Sequence, residues 1–190
     1  MDFFITNTQL QQVCAVIDAQ GFAYGSANDK SSFVPIELSV VGNKLADHIV
    51  YDTYLESRMT GQQFSTYLHQ SRKLHGIKLK TSATPNVCEI QKKLRADIIS
   101  LYEKHRTGTK TKFAVHNTNL TPILSELGIP FVNLSSPFTS VPKLCELDDK
   151  YGNEDVCSVH SLQRGHYRCS RRKALHYFVW LNEIVSSCNT

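Results

Sequence analysis

No apolar run in the 190 residues approaches the roughly 20 needed to span a bilayer, so no membrane partner is expected. The N-terminal stretch MDFFITNTQLQQ lacks the basic start and long apolar core of a secretion signal, which points to an intracellular, reducing location in cytoplasm or nucleus. Glycine-rich phosphate loops are missing as well, since GFAYGS has the wrong spacing for one. Six cysteines spread over this length are too few for a disulfide scaffold, and in a reducing compartment they read as thiols, two of them as metal thiolates. Charge of one sign does not dominate. The 21 basic and 17 acidic residues permit a local nucleic-acid patch without demanding one. With no internal repeat, low-complexity tract or linker, the chain is expected to be one domain over 1–190, its core about 13–185.

The 41% hydrophobic and 20% charged residues are enough for a real core. Val13 to Ile17 (VCAVI) and Phe33 to Val41 (FVPIELSVV) are β-branched runs that predict buried strands. Residues 47–55 alternate as a third strand, so an antiparallel meander is expected first. The polar stretch 56–85 predicts an irregular loop carrying Lys78 and Lys80. Apolar spacings of three and four predict helices over 86–104 and 170–185. Shorter strands over 112–116 and 131–134 alternate with helices over 121–127 and 140–147. This order predicts an α/β fold, a mixed sheet flanked by helices.

The chemistry concentrates in CSVHSLQRGHYRCSRRK, residues 157–173. Cys157 and His160 can grip one Zn²⁺ from a single turn, with Cys169 returned by a loop. The fourth ligand is open at this point. His166 would close a local tetrahedron, and a distant carboxylate is the other candidate. Glu37 lies inside an apolar strand, where a carboxylate needs a partner.

The sequence Asp18-x-Gln20-Gly, Pro35-x-Glu37-Leu38, Cys157-x2-His160 and Cys169 before a terminal helix resembles the Maelstrom-type domain. That domain belongs to the DnaQ-like exonuclease division of the RNase H-like fold and serves animal germline small-RNA silencing. The exonuclease domain of arenavirus nucleoproteins is a more distant relative. The resemblance spans residues 13–183. It implies an RNase H-like fold stapled by a structural Zn²⁺ on Glu37, Cys157, His160 and Cys169, with Glu37 preferred to His166.

Active members cleave phosphodiesters with two divalent cations held by four carboxylates. At the corresponding positions this chain has Asp18, Gln20, Thr121, Arg168 and Lys173, so only one acid is retained. Realigning the second motif onto Asp97 would restore one more and not the set. No catalytic Mg²⁺ or Mn²⁺ pair is expected, and the resemblance implies a degenerate exonuclease. Arg164, Arg168, Arg171, Arg172 and Lys173 then form a candidate anion site for single-stranded RNA, with Lys78 and Lys80 beyond it. A scaffold for protein partners, with Tyr51, Tyr54 and Tyr67 as contacts, is the alternative. A residual metal-dependent 3′–5′ exonuclease is the third reading.

Overall fold

The computed structural model describes residues 5–23, 33–135, 141–152, 157, 160 and 169–187. Its first half is built on a long hairpin. Strand β1 (Val13–Ala23) pairs antiparallel with β2 (Phe33–Gly42), and β2 pairs antiparallel with β3 (Ala46–Val50). The meander expected from sequence is therefore present. Strands β6 (Lys112–Val115) and β7 (Phe131–Asn133) add in parallel, giving the order β3-β2-β1-β6-β7. Parallel neighbours need crossover connections, and α4 (Thr121–Glu126) lies on the one between β6 and β7.

Both faces of the two central strands are covered, which is why β1 and β2 are buried along nearly their whole length. On one face lies α3 (Val87–His105), whose Leu94, Ile98 and Leu101 recur at helical spacing and meet Ile17, Ala19, Leu38 and Val40. Each such side chain contributes about 2 kcal/mol by leaving water. The other face is covered by α6 (Ser170–Ser187), through Ala174, Tyr177 and Leu181 against Val16, Val41 and Val132. At the far end of the hairpin Phe22, Val34 and Ile36 form a third cluster with Leu55, Tyr67 and Ile77.

The hairpin register breaks between Gln20 and Gly21. Glycine is required there, because a Cβ on Gly21 would stand 2.8 Å from the Pro35 Cα. The register also sets Gln20 opposite Glu37 and Asp18 opposite Ser39. Four polar side chains thus lie together in the middle of the sheet, beneath the start of α6.

Three expectations are corrected. The third strand ends at Val50; Leu55–Glu56 (β4) instead pairs in parallel with Thr81–Ser82 (β5) as a separate two-stranded sheet. The stretch 56–85 is not an irregular loop. It holds α2 (Gly61–His69), started by a capping box between Thr60 and Gln63, and then a π-helical turn, Gln70–His75, closed by left-handed Gly76. The helix expected over 140–147 is α5 (Leu144–Tyr151), later by four residues. A short helix, α1 (Asn7–Gln11), precedes β1 with its own Thr6–Gln9 capping box. No helix among the described residues is long and apolar enough to cross a membrane.

Candidate metal centre and adjoining cavity

Glu37, Cys157, His160 and Cys169 come together from β2, the segment before α6 and the residue that starts α6. Their ligand atoms all lie within 4.8 Å of one another and all four residues are buried. Glu37 Oε1 stands 3.1 Å from His160 Nε2, and Cys157 Sγ stands 3.4 Å from Glu37 Oε2. Four donors about 2.0–2.3 Å from one ion sit roughly 3.3–3.8 Å apart at the corners of a tetrahedron. The donor set therefore fits a single Zn²⁺, and two thiolates with one imidazole and one carboxylate suit that ion's borderline softness. Neither cysteine is in a disulfide, and a hydrogen bond from Cys157 helps lower the Cys169 thiol to about 6. A structural Zn²⁺ is the cofactor this site supports. His166 lies outside the described residues.

The surroundings hold the ligands in place. Burial alone would raise the Glu37 carboxyl, but the His160 hydrogen bond and charge and the Ser170 N–H hold it below the ordinary range. That N–H donates to Glu37 Oε1 over 2.7 Å. Cys169 accepts the first backbone bond of α6, from the Lys173 N–H, so Glu37 and the Cys169 thiol sit at the positive end of the helix. His48 Nδ1 is 2.7 Å from Ser39 Oγ, and its other nitrogen faces Glu37 Oε2 at 3.8 Å. The backbone of His75 faces the His160 ring, the kind of outer contact that orients a ligating imidazole.

Beside the metal centre lie the positions that the resemblance marks as a degenerate nuclease site. Asp18 is fully buried, and Lys173 Nζ lies 2.9 Å from its Oδ1 while Gln20 Nε2 donates to its Oδ2 over 2.7 Å. Burial pushes the Asp18 carboxyl up against the pull of Lys173. Arg172 is buried too, its Nε 3.3 Å from Asp148 Oδ1, which also faces His176 Nδ1 at 3.0 Å. Two of the five cations proposed for an anion are thus committed to internal carboxylates. Arg171 is exposed, and Arg164 and Arg168 lie outside the described residues. Lys78 is exposed, and Lys80 pairs with Asp52 at 2.6 Å. Thr121 begins α4 and bonds the Thr118 carbonyl. Asp97, on α3, bonds Tyr51 and Lys93 on the opposite face of the sheet from Asp18. Sequence reasoning missed Asp148, whose only signal was an acid on the α5 face that meets the basic start of α6.

A cavity of about 610 Å³ opens at the ends of β1 and β6. Gln20, Gln70, His75, Asn117, Asp148 and Lys173 are among its walls. Asn117 donates its amide to the Ala19 carbonyl and accepts from the Asn119 N–H, which fixes the loop after β6 against β1. His116 stacks on Tyr177 at 4.6 Å.

Comparison with family models, with curated proteins and with solved structures gave no match. What stands is an α/β domain with a mixed sheet and a buried Glu-Cys-His-Cys metal cluster.

Proposed function

We propose that the chain is a single, catalytically degenerate exonuclease-like domain of the RNase H-like fold, stapled by Zn²⁺. It acts as an RNA-associated module in RNA processing or small-RNA silencing. The Asp18–Lys173 pair carries this reading. Two-metal nucleases need several carboxylates facing one another across the ions. Here an ammonium lies against the single retained acid, and an amide takes its other oxygen. Asp148, the acid among the described cavity walls, is matched by Arg172 and His176. An antiparallel meander extended by two parallel strands through β1 supports the RNase H-like assignment, being the arrangement such sheets have. The Glu37–Cys157–His160–Cys169 set supports kinship with Maelstrom-type domains.

In this reading Arg171, Lys78 and Lys80 contribute to the RNA surface; Arg164 and Arg168, expected from sequence to join them, lie outside the described residues. Single-stranded RNA binding should fall with salt, each neutralised phosphate adding about 0.7 to the slope of log affinity against log salt. Arg171→Glu should weaken binding and flatten that slope while zinc content and melting temperature hold. Labelled RNA should survive Mg²⁺ and Mn²⁺. Processive 3′ trimming abolished by Asp18→Ala would overturn the degenerate assignment.

A second reading, a protein-interaction scaffold, is favoured by one observation. An apolar groove between the β2–β3 turn and α6 is lined by Leu45, Phe178 and Val179, with Leu45 exposed. Tyr51 and Tyr67 do not serve such a surface, because both are buried. Absence of salt-dependent RNA binding would move the assignment here.

A further inference from the structure

We propose that the cavity beside the metal centre binds a nucleobase by its hydrogen-bonding edge, with Gln70 Oε1 as acceptor and His75 Nε2–H as donor. The inference rests on the RNA-module reading and specifies which part of the nucleotide the site takes.

Gln70 and His75 both line this cavity, and each carries a buried polar atom, Oε1 and Nε2, with no hydrogen-bond partner among the described residues. Gln70 spends its amide N–H on the Ala23 carbonyl over 3.1 Å, which fixes the side chain and leaves the oxygen unused. The Ile77 N–H lies 3.2 Å from His75 Nδ1, so that nitrogen accepts. In a neutral ring the proton is then on Nε2, which becomes a donor. The ring is held edge-on to Phe22 at 5.0 Å, and His75 is only 1% exposed. Buried donors and acceptors are nearly always paired in folded proteins, so two on one cavity wall need an explanation.

The backbone supplies a reason for their being together. In an α-helix residues five apart point about 140° away from each other. The π-helical turn Gln70–His75 closes its ring between residues five apart, and both side chains line the same cavity. Single π turns of this kind recur at functional sites.

The charges decide against phosphate as the group bound in the cavity. Lys173 is matched by Asp18, and Asp148 by Arg172 and His176, so these walls are close to neutral. Lys143, the other cation among the lining residues described, is exposed. Phe33, Leu74 and Pro142 add apolar wall, and about 610 Å³ is within the usual range for a small-ligand pocket. What such a site takes is a flat, uncharged heterocycle with an acceptor beside a donor. Every nucleobase has that pair on its Watson–Crick edge, as with O4 and N3–H of uracil, and single-stranded RNA offers it unpaired.

The test is titration of the zinc-loaded full chain with uridine, adenosine, uridine monophosphate and inorganic phosphate, read by amide chemical shifts and calorimetry. Both nucleosides are expected to bind. The monophosphate should bind within about threefold of uridine, and inorganic phosphate should not displace either. Gln70→Met and His75→Phe should each weaken nucleoside binding about tenfold, the effect of one hydrogen bond, and Arg171→Glu should leave it unchanged. If His75→Phe fails to fold, Gln70→Met carries the test. No nucleoside binding, competition by inorganic phosphate, or wild-type affinity in a folded Gln70→Met would overturn the proposal. Salt-dependent RNA binding without nucleoside binding would overturn it and leave the RNA-module reading standing. Nucleoside binding without RNA binding would do the reverse.

Discussion

Replacing Lys173 by Met removes the ammonium and keeps the length of the side chain that packs beneath α6. Asp18 then stays buried, with the Gln20 amide as its remaining donor in that pair. Breaking a buried pair from one side costs about 3–5 kcal/mol, because the surviving charge is left uncompensated. A carboxyl can escape that cost by taking a proton. Burial already pushes the Asp18 carboxyl up, and without the pull of Lys173 it should rise further, so that the variant takes a proton on folding. The sign follows from proton counting. Between the unfolded and folded values the folded state holds the extra proton, so stability falls as pH rises through that window and then levels. Urea unfolding of Lys173→Met should show a deficit of about 3–5 kcal/mol against wild type at pH 8, and a smaller deficit in mild acid, where Asp18 can take its proton. Asp18→Asn added to Lys173→Met should recover most of the loss at pH 8, since an amide has no charge to strand. A loss under 1 kcal/mol at pH 8, or a deficit that does not change with pH, would refute the idea that this pair is a buried and mutually dependent one.

Cys157→Ser or Cys169→Ser should reduce zinc from about one ion per chain to near none by elemental analysis and yield aggregated protein, because structural zinc contributes folding free energy directly. Gly21→Ala should destabilise by about 3 kcal/mol and lower the melting temperature by at least 5 °C, since its Cβ is driven into the β2 backbone at Val34 and Pro35. Asp47 is pushed up by burial but held below the ordinary range, on balance, by hydrogen bonds from Lys104 and His105. Its contribution is present above about pH 4 and is lost as pH falls through the lowered value. Asp47→Asn should cost about 1 kcal/mol at pH 7 by urea titration, with the gap to wild type closing in acid.

The strands and the two long helices were legible because their burial is written in composition. VCAVI is apolar on both faces and FVPIELSVV is apolar but for Glu37 and Ser39, as buried central strands are, and α3 repeats Leu94, Ile98 and Leu101 at helical spacing. The extension of β1 through Asp18 and Gln20 was not legible. Those residues read as a strand end because the partner of Asp18, Lys173, is more than 150 residues away in the chain. Glu37 was readable only as a carboxylate in need of a partner, and the resemblance supplied that partner. The helix within 56–85 was missed because its apolar positions are sparse, although Thr60-x-x-Gln63 is a capping-box pattern that sequence alone displays. The π turn has no sequence signature of its own. The basic run Arg171–Lys173 looked like one patch, but helical geometry divides it. Arg172 and Lys173 turn toward the sheet and α5, and Arg171 turns to solvent.

The metal cluster also bears on the order in which the chain can fold. Cys157 is 120 residues beyond Glu37, and Cys169 and the helix that follows come later still. A chain emerging from its N-terminus completes the β1–β2–β3 meander long before any zinc ligand but Glu37 exists. Through that interval the central strand carries an acid with neither thiolate, imidazole nor helix end to face, and one whole side of the sheet lacks its cover. Closing a loop of this length is an entropic cost met only when the last two dozen or so described residues arrive. In synthesis from the N-terminus, zinc capture by these four ligands therefore comes after the meander has formed, and until then the sheet face that α6 covers is open.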